Sequence, residues 1–229
     1  SLLFALLCLI IVQYSCEKLE EPESETELVI ITDYDGNAYH TKKTGGQWWM
    51  INNLKTTHYA DGTTIPLVES NSMWKALNSD QKAYCFYDND EVNAYGALYT
   101  WAACMNDHES SDGNPSEVQG VCPDGWHIPS DSEWKELEMY LGMSQATADI
   151  GGLRGANEGS KLTPPASLWF DGYLENDAEF GTSGFTAQPG GGRRYDGNFD
   201  HMGDNANFWT ATEDDYFRAW GRHIYSAYT

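Results

Sequence analysis

The hydrophobic and polar positions divide the chain into a leader, a polar spacer and a long folded part. Leu2 to Val12 is an unbroken apolar run. A bilayer-spanning helix needs about 20 such residues, so the run is too short to span and has the length of a signal-peptide core. Residues 1–15 are therefore read as a signal peptide. No initiator Met and no basic stretch precede it, so its first residues are expected to lie upstream. From Glu17 to Glu27 the pattern inverts: six Glu, one Lys and one Pro leave little to bury. Residues 16–27 are read as an acidic tether without a core of its own. Residues 28–229 are expected to form one large domain.

Within the domain the pattern is one of short strands and turns. Leu28 to Ile31, Ala38 to Lys43 and Gln47 to Leu54 predict a three-stranded meander, with turns at Asp35-Gly36-Asn37 and Gly45-Gly46. Ala83 to Tyr87 predicts another strand. Leu98, Trp101, Ala102 and Met105 recur at helical spacing and predict a helix over 94–105. The clearest local signal follows Cys-Pro-Asp-Gly-Trp-His-Ile-Pro at 122–129. Ser130 stands three residues before Glu133, the spacing of a capping box, and Trp134, Leu137, Glu138 and Leu141 share one helical face up to Gly142. A helix over 131–141 follows. Residues 151–183 read as irregular, Phe185 to Gln188 as a strand, and 207–212 with 217–225 as a strand pair. Trp209, inside a strand, is expected in the core, and His127, between Trp126 and Ile128, is expected as a packed, hydrogen-bonded ring.

Composition narrows the picture. Nine Trp, 14 Tyr and 22 Gly without a dominant helical period favour a loop-rich α+β domain over a bundle. A formal charge of −22 argues against nucleic acid or an anionic membrane as partner of the folded part, since phosphate binding needs a basic surface. Cys16, directly after Ser15 and the apolar run, resembles the lipid-accepting Cys of a bacterial lipobox, with Gln13 where Leu is usual; an ordinary signal peptide with an incidental Cys is the alternative. Cys85, Cys104 and Cys122 remain in the domain, an odd number for an exported protein. One disulfide and one unpaired thiol fit this number, with a partner beyond Thr229 as the alternative for the third Cys.

Several segments in order carry a family resemblance. They are Thr32 to Asn37, Trp49-Met50 with Asn53-Leu54-Lys55, Ala83 to Asp90, Tyr95 to Tyr99, Gly125 to Pro129, Gly184 to Ala187 with Pro189-Gly190-Gly191, and Phe208 to Glu213. Together they resemble the Fibrobacter succinogenes major paralogous domain, over nearly everything from Leu28 onward. The resemblance implies a C-type lectin-like α+β fold, with two helices beside small antiparallel sheets and long ligand-presenting loops. It also implies a secreted or lipid-anchored bacterial protein. The acidic stretch after Cys16 resembles the surface-export signal of Bacteroidota lipoproteins, so an outer-membrane, surface-exposed location is expected. The family's closing strand and its Cys have no counterpart before Thr229, so a truncated end is expected. Phe208 stands where the family often has a second Trp.

The candidate chemistry favours binding over catalysis. Arg193 to Tyr228 is dense in Tyr, Asn, Asp, Trp, Arg and His, which supply stacking faces and adaptable hydrogen bonds. Candidate ligand contacts are Arg194, Tyr195, Asp196, Asn198, Asp200, His201, Asp204, Asn205, Asn207, Asp214 and Tyr216, for an extracellular protein or glycan. Asp88, Asp90 and Glu91, and the Asp196 to Asp204 group, could supply calcium oxygens, but neither follows a calcium-loop pattern; no cofactor or metal is assigned. The six His residues at 40, 58, 108, 127, 201 and 223 form no close zinc-type pair. No nucleophile elbow or phosphate loop occurs. The leading expectation is a non-enzymatic ligand-binding surface lipoprotein. The alternatives are a structural or adhesion component of the envelope and, further off, a hydrolase using paired carboxylates.

Overall fold

A computed structural model describes residues 29–164, 168–215 and 218–228. The signal peptide, the Cys16 lipidation site, the tether and Tyr216 lie outside the described residues.

The opening meander forms as the turn chemistry requires. Strands β1 (Val29–Thr32), β2 (Ala38–Thr44) and β3 (Gln47–Met50) pair antiparallel in the order β1-β2-β3. Gly36 and Gly45 take the left-handed conformation in the two turns, at φ 83° and 64°. The helix expected over 94–105 is shorter than its periodicity suggests. Ala97–Tyr99 is β5, paired with β4 (Tyr84–Phe86), and only α2 (Trp101–Met105) is helical. The sheet pairing captures the residues before Thr100, whose hydroxyl then caps α2 by accepting from Ala103 N–H.

Helix α3 (Asp131–Tyr140) carries the expected capping box: Ser130 Oγ accepts from Glu133 N–H at 3.1 Å, and Glu133 Oε2 accepts from Ser130 N–H at 2.9 Å. Three short helices fall outside the elements the pattern predicts: α1 (Asn71–Lys75), α4 (Gln145–Ala148) and α5 (Glu158–Leu162). Each is five residues or fewer, too short for a periodicity to register. Phe185 to Gln188 is not a strand. The next strand is β6 (Gly190–Arg193), paired with β7 (Phe199–Met202), and the domain's longest hairpin is β8 (Asn205–Asp215) with β9 (Arg218–Tyr225). The class is thus mixed α+β, as expected, with four small antiparallel sheets and five helices among the described residues.

Two large cores and a smaller cluster of Val68, Trp74, Ala83 and Cys85 hold these pieces. In one, Trp134 of α3 meets Trp49 of β3 (ring centroids 4.9 Å apart) and Phe208 of β8 (5.4 Å), with Phe185 against all three. In the other, Tyr59, Ile65, Tyr84, Met105, Val121 and Ile128 surround Cys104 and Cys122. The expected disulfide is absent: Cys85, Cys104 and Cys122 are all free thiols, and all are buried. Burial pushes the Cys122 thiol up to about 12 and Cys104 higher still, so these thiols behave as small apolar side chains.

The acidic member of the α3 face has a specific use. Glu138 is buried between two guanidinium groups, with Arg222 Nε at 2.7 Å and Arg154 Nη2 at 2.9 Å. Arg222 of β9 also donates to Asp131 Oδ1 at 2.7 Å, and Lys135 bridges Asp131 and Asp149. This network ties α3 to the β8–β9 hairpin from inside. It has no local spacing rule, because its arginines stand 16 and 84 residues from Glu138.

Candidate functional site

A cleft of about 830 Å³ opens between β3, the Trp126-His127 loop, β6 and the β8–β9 hairpin. Its floor is glycine. Gly191 has φ 64°, and a Cβ there would stand 2.6 Å from Asp200 O and Met202 N; at Gly190 it would stand 3.2 Å from Tyr95 O. Backbones therefore come close at these glycines, which a side chain would hold apart.

The walls are aromatic. Strand β8 alternates: Ala206, Phe208 and Thr210 face inward, and Asn207 and Trp209 face the cleft. Trp209 is 41 % exposed, not in the core as expected. It does lie in a strand, but the period of two puts Phe208 inside and Trp209 outside. Its indole N–H donates to Tyr99 O at 2.9 Å, which fixes the ring while leaving it accessible. Opposite it in register is Gly221, with no side chain to cover it. Trp48, 45 % exposed, lines the far wall, while its neighbour Trp49 points into the core.

Beside Trp209 lies a polar pair. Asn207 and His223 are register partners. Asn207 Nδ2 donates to Gly191 O at 2.8 Å, so its Oδ1 faces His223 Nδ1 at 2.7 Å and accepts that proton. This assigns the tautomer and leaves His223 Nε2 as an acceptor. Desolvation and the adjacent Arg222 lower the His223 pKa, so the ring is neutral at pH 7.

His127 lies on the opposite wall in a different state. Its Nε2 meets Glu133 Oε1 at 2.7 Å, while Glu133 Oε2 takes Ser130 N–H and Ser116 N–H. The Glu133 hydrogen bond raises the His127 pKa. Burial works to raise that of Glu133, but His127 and the backbone donors outweigh it and the net shift is down. The expected hydrogen-bonded ring is present, and the capping-box Glu is its partner. Three donors thus converge on the Glu133 carboxylate.

The candidates drawn from the sequence scatter. Arg194, Asp200 and Asn207 line the cleft. Tyr195, 80 % exposed, sits with Asp196 and Asn198 in the β6–β7 turn, where Asp196 caps Asn198 N–H and Nδ2. His201, in β7, pairs with Asp204 of the turn that follows at 3.0 Å. Asn205 is buried, so its side chain is not available at the surface. Asp214 lies at a second cavity. Asp90 turns back on Val92 and Asn93 in its own loop. Among the described residues no three His, Cys, Asp or Glu side chains converge as a metal-holding group.

Trp48, Tyr95, Trp126, Trp209 and His223 lie outside that candidate set, and all line the cleft. Their signal in the sequence is weak. A Trp pair at 48–49 on a strand must split between two faces, but which member is outside depends on register.

No helix of the described residues is long and apolar enough to cross a membrane. No curated protein and no solved structure matches the chain. The model of the Fibrobacter succinogenes major domain does match, over residues 43–229. That span contains the capping-box helix, the glycine floor and the hairpin that bears Trp209, and it establishes that this chain belongs to the Fibrobacter succinogenes major domain family.

Proposed function

We propose that the domain is a non-enzymatic binding module that takes a protein or glycan ligand in the aromatic cleft, on a C-type lectin-like frame. A lipid on Cys16 and an acidic tether would hold it at the bacterial outer surface. The observation that carries the reading is Trp209: an accessible indole, held by Tyr99 O, facing a glycine and flanked by Asn207 and a neutral His223. Rigid aromatic rings in a concavity carry a large share of binding energy where they meet a ligand. The charges of the lining are engaged, Glu133 with His127, Asp200 with Arg194, and Arg193 with the Val68 and Glu69 carbonyls and the Trp74 and Phe199 rings, which supports an uncharged or weakly polar contact.

The test is an array of glycans and extracellular proteins probed with the wild-type chain and with Trp209→Ala and Asn207→Ala. Truncating a central aromatic contact typically costs about 2 kcal/mol or more, some thirtyfold in Kd. Hits that survive both substitutions would rule out the cleft as the site. A blank array would favour a structural or adhesion role in the envelope. Loss of fatty-acid labelling in Cys16→Ser would support the anchor.

A further inference from the structure

The face of the β8–β9 hairpin that bears Trp209 runs on past the cleft. Its successive rungs are Trp209 with Gly221, Asn207 with His223, and Asn205 with Tyr225. Same-face rungs stand about 7 Å apart, so the row from Trp209 to Tyr225 is about 14 Å long. The His223 and Tyr225 rings are 6.2 Å apart, and Tyr228 meets Tyr225 edge-on at 6.3 Å. Trp209, His223 and Tyr228 are exposed and Tyr225 is half-buried, so rings reach the surface along the whole row.

The donors of this row are spent within the protein. The Trp209 indole N–H goes to Tyr99 O and Asn207 Nδ2 to Gly191 O, while Asn207 Oδ1 takes the His223 Nδ1 proton. What remains for a ligand is ring surface and one acceptor, His223 Nε2. That acceptor is placed by its neighbour across the strand. A Cβ on Gly221 would stand 3.2 Å from His223 Nε2, so the nitrogen lies over Gly221, on the rung of Trp209 itself. Ring and acceptor are therefore offered side by side.

These leftovers discriminate among ligands. A peptide that adds a strand needs a free sheet edge, whereas this row lies on the face of a paired hairpin. A proline-rich peptide stacks on aromatic rings, but it brings carbonyl acceptors and needs a donor, and the indole N–H is taken. An anionic chain is opposed by the formal charge of −22. A neutral saccharide chain supplies what the row lacks: C–H faces to cover the rings and hydroxyl donors for the imidazole nitrogen. Taking the cleft as the binding site, as proposed above, we infer that its ligand is a linear neutral glycan. It lies lengthwise on the hairpin, with one sugar on Trp209 and His223 Nε2 and later sugars on Tyr225 and Tyr228.

The probes are the linear hexasaccharides and disaccharides of the cello, xylo, manno, malto and laminari series, with hexagalacturonate and hexaproline as the anionic and peptide counterparts, titrated into the full chain by calorimetry. At least one neutral hexasaccharide should bind with a Kd of about 1 mM or tighter, and at least about tenfold tighter than its disaccharide. Trp209→Ala should abolish that binding. Tyr225→Ala should weaken the hexasaccharide about tenfold, to the level of the disaccharide, and Tyr225→Phe, which keeps the ring, should bind as the wild type does. The inference is overturned if no neutral hexasaccharide binds, if hexagalacturonate or hexaproline binds in their place, or if chain length and a folded Tyr225→Ala make no difference. In each of these cases the cleft itself still stands or falls separately, on whether any hit is lost in Trp209→Ala. A hexasaccharide that binds Trp209→Ala as tightly as the wild type overturns both.

Discussion

Replacing Glu138 by Gln tests the internal tie between α3 and the hairpin. The substitution keeps the shape and removes one charge. Arg222 and Arg154, with side-chain exposures of 7 % and 12 %, then share a buried space without the carboxylate that lies 2.7 and 2.9 Å from them. Asp131 still serves Arg222, but nothing replaces the counter-ion of Arg154. Removing one member of a buried pair typically costs about 3–5 kcal/mol, mostly because the remaining charge is desolvated and unpaired. For a domain of this size each kcal/mol lowers Tm by roughly 2–4 °C, so a drop on the order of 6–20 °C is expected. Urea unfolding followed by Trp fluorescence measures it directly, with an unchanged m-value as the check that the transition is the same. Glu91→Gln, at an exposed position, is the control and should stay within about 0.5 kcal/mol. A Glu138→Gln loss of less than about 1 kcal/mol would mean that water reaches the network in solution, and would refute a dry interior tie.

Two further predictions concern pH and thiols. The His127 pKa is raised in the folded protein, so its contribution is complete below its ordinary value of 6.5 and is lost as pH rises through the folded value. That of Glu133 is lowered, so its contribution is complete above 4.5 and is lost on acidification through the folded value. Melts across pH should therefore show this pair at full strength between those limits, and His127→Gln should flatten the alkaline side; an unchanged slope would contradict the pairing. Cys85, Cys104 and Cys122 should resist iodoacetamide in the native protein and react once it is unfolded, because burial keeps the thiols protonated. Mass spectrometry that finds a bond between any two of them would contradict the free-thiol arrangement.

Local chemistry makes much of the frame legible in the order of residues. Ser130 and Glu133 announce α3 because a capping box is satisfied within four residues. Asp35-Gly36 and Gly45-Gly46 announce the meander because their turns need backbone conformations that glycine adopts freely. The short helices α1, α4 and α5 leave no such mark, since one turn of helix is held by its cap and its neighbours and carries no period. The helix expected from Ala94 loses its first half to β-pairing for a related reason: propensity yields to tertiary contacts.

The run from Cys122 to Trp134 shows where the division falls. Its order of residues sets the helix start, the cap and the family, all properties that neighbours along the chain decide between themselves. That Trp126 and His127 share a cleft with Trp209 and His223, some ninety residues away, is decided by packing of the β8–β9 hairpin against α3. Whether Phe208 or Trp209 enters the core turns on register, and a slip of one residue would exchange them. Whether Glu138 is a solvated charge or the buried partner of two arginines turns on residues 16 and 84 positions distant. Distances along the chain carry no information about such encounters; they exist only once the core has closed and excluded water from them.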